Sequence, residues 1–235
     1  MPDAVLHQAI TALGSVGSLL DNLTDDQLAQ VLDGATIYIV AAAALVFPLN
    51  DGRPHVGILL EGMARAYLGA SDGRQFTIRY ARPGAMIGTR SLVSGDHAPV
   101  RVQALTRCKV IEINRNAFLK LADTEANVAA IFIDELSERI RDLYDTVADT
   151  AFASLRQQVA RHLLLLAQVQ RDGLDAAEIT QQQLADAVGS TREVVARTLR
   201  SLRAEGLVQT GTRRIVLLDR DRLRAIVGTW LTAPI

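Results

Sequence analysis

Arg192, Glu193 and Arg197 stand at a spacing that puts two guanidinium forks and one carboxylate near the start of a single helix. An arginine placed there can donate two N–H arms to guanine O6 and N7, and a glutamate can accept from cytosine N4, so the trio has the chemistry to read base edges in a major groove. Arg200 extends the same exposed side. A plainer use of the same atoms is open: Glu193 completes a capping box and pairs with Arg197 one turn on, which leaves the arginines as solvated surface.

Two helices meeting at one glycine must position that trio. Thr180 can cap the first through its hydroxyl, Leu184, Ala185 and Val188 give it an inward face, and Gly189 can take the positive φ of a tight turn. Ser190 as N-cap with Glu193 three residues later predicts the second helix, which Val194, Val195, Leu199 and Leu202 hold down and Gly206 ends. From Leu207 to Leu218 a short apolar strand, a glycine turn and a second apolar strand succeed it, with Arg213 and Arg214 at the turn where a wing meets phosphate. This is the pattern of a winged helix-turn-helix. Between Thr180 and Arg224 nine arginines face five carboxylates, whereas the whole chain has a formal net charge of -1. Attraction to a polyanion is therefore local.

The 235 residues are 49% hydrophobic, enough to bury two modest cores. Leu6 to Leu32 is helical in character, with Thr24 before Asp25, Asp26 and Gln27 as a helix start. From Ala35 to Ile113 short β-type runs alternate with glycine turns: Ile37 to Val40, Leu45 to Phe47, Val56 to Leu60, Ala64 to Leu68, Phe76 to Tyr80, Val100 to Leu105 and Lys109 to Ile113. Turn signals include Asn50-Asp51-Gly52 and Ser94-Gly95-Asp96. Such spacing predicts an antiparallel roll or barrel.

Helical periodicity returns after Asn114 and lasts to about Gln170, with Arg171-Asp172-Gly173 closing a second helix that starts at Ala151. Ile133, Leu136, Ile140, Leu143 and Val147 recur at three and four residues, the seam of a coiled coil and a candidate dimer interface. The same face could instead pack on the chain's own roll. The fold class expected is α+β: an N-terminal helix and antiparallel β-roll (1–127), a dimerisation helix and hinge (128–152) and a C-terminal winged helix-turn-helix (153–235).

Other chemistries find less support. Cys108, the single cysteine, excludes an internal disulfide; flanked by Arg107 and Lys109 it could be a reactive thiol, but its strand setting favours a buried inert one. Haem would need His7, His55, His97 or His162 as a ligand, and their spacing is not diagnostic. No metal cluster, nucleophilic triad or phosphate loop stands out, so no enzymatic activity is expected. The longest apolar run, Ile37 to Leu49, is too short to span a bilayer and contains Pro48, and no leader precedes it, which points to the cytoplasm.

In this order of elements the chain resembles the cyclic-AMP receptor protein and FNR family of bacterial transcription regulators over nearly its whole length. Ile179 to Leu202 carries the sharpest match, with Gly189 in the turn and Arg192-Glu193-x-x-x-Arg197; Ser71 to Arg74, Pro83 to Gly88 and Ala151-Phe152 match less sharply. The resemblance implies a homodimer on double-stranded DNA that reads a palindromic TGTGA-like operator and engages RNA polymerase. It implies Arg192 and Arg197 on guanines, Glu193 on a cytosine, and Thr180, Gln182, Thr191 and Arg213 at or near phosphate, with Arg200 and Arg214 beside them. Cyclic-nucleotide binders of this family carry Gly-Glu and then Arg-Ser, Arg-Ala or Arg-Thr for ribose and phosphate, where this chain has Gly88-Thr89-Arg90-Ser91 and then Ala98-Pro99. The family's adenine-contacting Thr-Ser pair appears as Leu143-Tyr144. These losses predict weak or no binding of cyclic AMP, because a buried phosphate would face no guanidinium. Either no ligand is used, or a different one is held near Gly88, Thr89, Arg90, Ser91 and Tyr144; Arg90 as a surface ion pair and Tyr144 as a core aromatic are the favoured readings of those two residues. Two rivals remain: a receptor whose output is a protein contact, and a haem or redox sensor.

Overall fold

The computed structural model describes residues 14, 18–48, 53–94, 100–170 and 172–228. The chain divides into two compact units, residues 1–67 with 79–142 and residues 68–78 with 143–235. Among the described residues no helix is long and apolar enough to cross a membrane.

A 3-10 turn, Leu19–Asn22, precedes α1 (Asp25–Leu32). Thr24 caps α1 as its position suggested: its hydroxyl accepts from Gln27 N–H at 3.3 Å while the Gln27 side chain accepts from Thr24 N–H at 3.1 Å. The helix start expected at Thr24 is thus where the chain places it, and most of the stretch from Leu6 that precedes the 3-10 turn lies outside the described residues. Strands β1 (Thr36–Val40), β2 (Gly57–Glu61), β3 (Ala64–Gly69), β4 (Gln75–Ala81) and β5 (Met86–Ile87) come next, then a short α2 (Thr89–Ser94), β6 (Val100–Ala104) and β7 (Cys108–Glu112). Leu45 to Phe47 is not a strand; Leu45 makes one isolated bridge to Gln103, after a turn in which Ala43 takes φ 68°. Asn50 to Gly52 and Gly95 to Pro99, which include two of the turn signals and the Ala98-Pro99 departure, lie outside the described residues.

One sheet runs β1-β7-β2-β5 with antiparallel pairing, the other β4-β3-β6. Alternation along β2 and β7 sends their side chains to two different cores. Ile58, Leu60 and Ile111 join Leu28, Phe118 and Phe132 in a core roofed by helices. Leu59, Cys108 and Val110 point the other way, into a core that the second sheet closes with Ala64, Ala81 and Ala104. Asn114 caps α3 (Arg115–Thr124), its side chain accepting from Ala117 N–H at 3.1 Å, and α4 (Ala126–Phe152) extends for 27 residues, roughly 40 Å at 1.5 Å per residue.

The expected helix from Ala151 to Gln170 is shorter and starts later. Ser154 accepts from Gln157 N–H and the Gln157 side chain accepts back from Ser154 N–H at 2.9 Å, a capping box that opens α5 at Leu155; the helix ends at Leu166. The rest of the chain forms β8 (Gln168–Val169), β9 (Asp175–Ala177), α6 (Gln181–Ala187), α7 (Arg192–Ala204), β10 (Val208–Thr210), β11 (Ile215–Leu217) and α8 (Arg220–Val227), with the sheet ordered β10-β11-β9-β8. Val159, Leu163, Leu184, Val195, Leu199 and Leu223 are fully buried there.

Candidate nucleic-acid interface

Thr180 opens α6 with a capping box: its hydroxyl accepts from Gln183 N–H at 3.1 Å and the Gln183 side chain accepts from Thr180 N–H at 2.9 Å. Leu184, Ala185 and Val188 are buried, and Gly189 turns the chain with φ 64°, where a side chain would be strained. Gln182 is exposed and donates to Asp186 at 2.8 Å.

The start of α7 corrects the sequence expectation. Thr191, not Ser190, is the N-cap, accepting from Val194 N–H at 3.4 Å. Moving the cap by one residue puts Val194 where a capping box needs Glu or Gln, so Glu193 is left out of it. Glu193 also makes no bond to Arg197. Val195, Leu199 and Leu202 point inward, while Arg192, Glu193, Arg197 and Arg200 are exposed. None of these four side chains has a hydrogen bond or ion pair with another described residue. The plainer use of Glu193 is therefore not realised, and a carboxylate and three guanidinium groups face outward along one helix.

In the wing, Gly211 N–H donates to the Arg214 carbonyl at 2.7 Å and closes the turn. Arg213 is exposed and unpaired among the described residues. Arg214 is not in the same condition: its two terminal nitrogens form a fork on Asp172, at 2.6 and 2.9 Å. The Asp172 carboxyl is held down to about 2, first by that fork and then by Leu174 N–H. Sequence reasoning treated the two arginines alike and missed Asp172. It also missed Asp175, which takes Arg220 at 2.6 Å, and the Arg156 fork on Glu205 that ties α5 to the end of α7.

Against known proteins, residues 157–226 match the model of the Crp-like helix-turn-helix domain and residues 40–125 that of the cyclic nucleotide-binding domain. Transcriptional regulator LdrP of Thermus thermophilus is 32% identical over 181 residues, 74% of this chain and 88% of LdrP. A solved CRP-family transcriptional regulator, also from Thermus thermophilus, superposes with a TM-score of 0.70 at 26% identity over 82% of this chain and 97% of that one.

The chain belongs to the CRP/FNR family of transcription regulators.

It is similar too to the cAMP-activated global transcriptional regulator Vfr of Pseudomonas aeruginosa, 29% identical over 185 residues that cover 75% of this chain and 86% of Vfr. In this CRP/FNR regulator, Gly88, Thr89, Arg90 and Ser91 lie together at the start of α2. Gly88 takes φ 78°, and a Cβ there would collide with the His55 carbonyl oxygen, so packing alone requires the glycine. Ser91 is buried, its carbonyl accepting from Arg115 Nε at 3.0 Å, and Arg90 is exposed. Tyr144 is 67% exposed on α4, so it is no core aromatic.

Of the five seam residues, Ile133, Ile140, Leu143 and Val147 are exposed, whereas Leu136 is turned onto the helix-roofed core of the first unit. Packing on the chain's own first unit is thus realised by Leu136, while the other four form an exposed apolar stripe on the same helix. The Cys108 thiol is fully buried, bonded to the Met63 carbonyl at 3.3 Å and pushed up by burial. His55 pairs with Glu112 at 2.7 Å and stacks on Phe47; His162 lies in α5, and His7 and His97 lie outside the described residues.

Proposed function

We propose that this CRP/FNR regulator acts as a cytoplasmic homodimer on a palindromic TGTGA-like operator, where it engages RNA polymerase and performs no catalysis of its own. One observation carries the proposal: Arg192, Glu193 and Arg197 project from the first turns of α7 with their hydrogen-bonding capacity unspent. Arg192 and Arg197 each address a guanine and Glu193 a cytosine, while Thr180, Gln182, Thr191 and Arg213 address phosphate, Thr180 and Thr191 through hydroxyl protons their capping bonds leave over. Pairing through Ile133, Ile140, Leu143 and Val147 sets two recognition helices about 34 Å apart, one helical repeat of the duplex. Selecting bound duplexes from a random pool tests this. Recovery of an inverted repeat with guanines at the half-site supports it, and equal retention of scrambled duplexes overturns it.

Cyclic AMP does not control this chain, although Vfr is named for that response. Thr89 supplies a hydroxyl where the family's binders place a ribose-binding carboxylate, and an exposed Tyr144 stands where they place a small hydroxyl residue. Calorimetric titration with cyclic AMP is expected to give no binding isotherm; micromolar or tighter binding refutes this part. A different effector at Gly88 to Ser91 or Tyr144, including one that makes the chain a sensor, would appear as a metabolite that shifts operator affinity.

A further inference from the structure

We infer that Asp172 is a positioning residue of the wing: it takes Arg214 out of the phosphate-binding set and presents Arg213 alone. This rests on the DNA-binding function proposed above. The two arginines are adjacent in sequence and would each be counted as a phosphate contact from charge alone. They differ in what they touch. Arg213 is exposed at the turn, whereas both terminal nitrogens of Arg214 are used on Asp172, across 42 positions of chain, and its Nε is buried. Asp172 is itself fixed, since Oδ1 accepts from Leu174 N–H at 3.1 Å in the turn between β8 and β9.

A lone exposed ion pair would be weak support for any such role. This one is bidentate, and it joins two backbone segments whose own bonds are set: Gly211 N–H on the Arg214 carbonyl on one side, the Asp172 turn on the other. Sheet pairing brings the same segments together, Ile215 opposite Ala177 and Val169 opposite Asp175. Glu178 adds negative potential at Arg214. A phosphate could take Arg214 only by displacing a carboxylate already in fork geometry. The wing therefore contributes one counterion-releasing contact per protomer, and Asp172 determines which arginine makes it.

Salt dependence separates a phosphate contact from a merely structural one, because each phosphate neutralised adds about 0.9 to the slope of log K against log salt. The full-length chain and its R213A, R214A, D172N and D172N/R214A variants are titrated with one selected duplex over a salt series, each variant first checked by thermal melting. Counted per protomer, R213A is expected to lower the slope by about 0.9, R214A to leave it unchanged, and D172N to raise it by about 0.9 as the guanidinium is released. The double variant is expected to return to the parent slope, since a gain due only to removing an acid would persist without Arg214. Equal losses in R213A and R214A overturn the inference. So does a parent-like slope in D172N, or a raised slope in the double variant. If R214A fails to fold, R214Q takes its place with the same expected outcome. A parent chain with no salt-dependent binding at all would sink the DNA-binding function itself, which the pattern among variants does not.

Discussion

Ile140→Ala separates the α4 seam from the fold of the single chain. Ile140 is 50% exposed in the protomer, so about half of its transfer free energy remains to be gained by pairing. Removing three carbons at about 0.8 kcal/mol each, halved for that share, costs about 1.2 kcal/mol per protomer. Two-fold symmetry doubles this to about 2.4 kcal/mol, or about 60-fold in the dimer dissociation constant. Sedimentation equilibrium over a range of concentrations measures it directly. Leu136→Ala is the internal control, because Leu136 packs on the helix-roofed core: it should lower the melting temperature and change dimerisation much less. A dissociation constant that stays within about threefold of the parent in Ile140→Ala would place the seam elsewhere.

Arg197→Ala should cost about 1 to 3 kcal/mol of operator affinity and relax preference at one base pair; unchanged discrimination among single-base variants in a mobility-shift titration rules out that assignment. Burial, helped by Arg161, holds the His162 imidazole at about 4, below its ordinary 6.5. The unfolded chain therefore takes up the proton first, and stability falls as pH drops below about 6.5, by up to about 3 kcal/mol, levelling near pH 4. Above that window this group adds no pH dependence, and a His162→Gln variant should lose the acid slope; if its melting temperature tracks the parent's across the window, another group is responsible. Cys108, buried with its thiol pushed up, should resist alkylation in the folded protein and react on unfolding. Rapid stoichiometric labelling under native conditions would contradict this.

Local rules made the helix-turn-helix legible, because caps, a turn glycine and an inward apolar stripe all lie within a few residues of one another. Their limit is visible at Ser190-Thr191, two adjacent residues that can each cap. The one that does is decided by how Val195 and Leu199 seat in the core, and a shift of one residue freed Glu193. The strands of the roll were legible as short β-type runs between glycine turns, but Leu45 to Phe47 misled, since nothing local says that Ala43 turns and leaves Leu45 with a single bridge. Seam periodicity could not tell Leu136 from its exposed neighbours, because that distinction depends on what lies opposite. Asp172 and Arg214 carried no sequence signal. They are 42 positions apart and meet only through the order β10-β11-β9-β8.

The sheet β1-β7-β2-β5 is a partition wall between two oily chambers, and consecutive letters of its middle strands serve different sides. Ile58 and Ile111 act as keel, gripping the helices; Leu59 and Val110 face the other room, where the opposite panel offers mainly alanine methyls with Val102 beside them. The positions facing the second sheet can thus be rewritten at every other residue while the keel stays as it is. A single-residue insertion in β2 would swap keel for furniture along the rest of the strand and spoil both rooms at once.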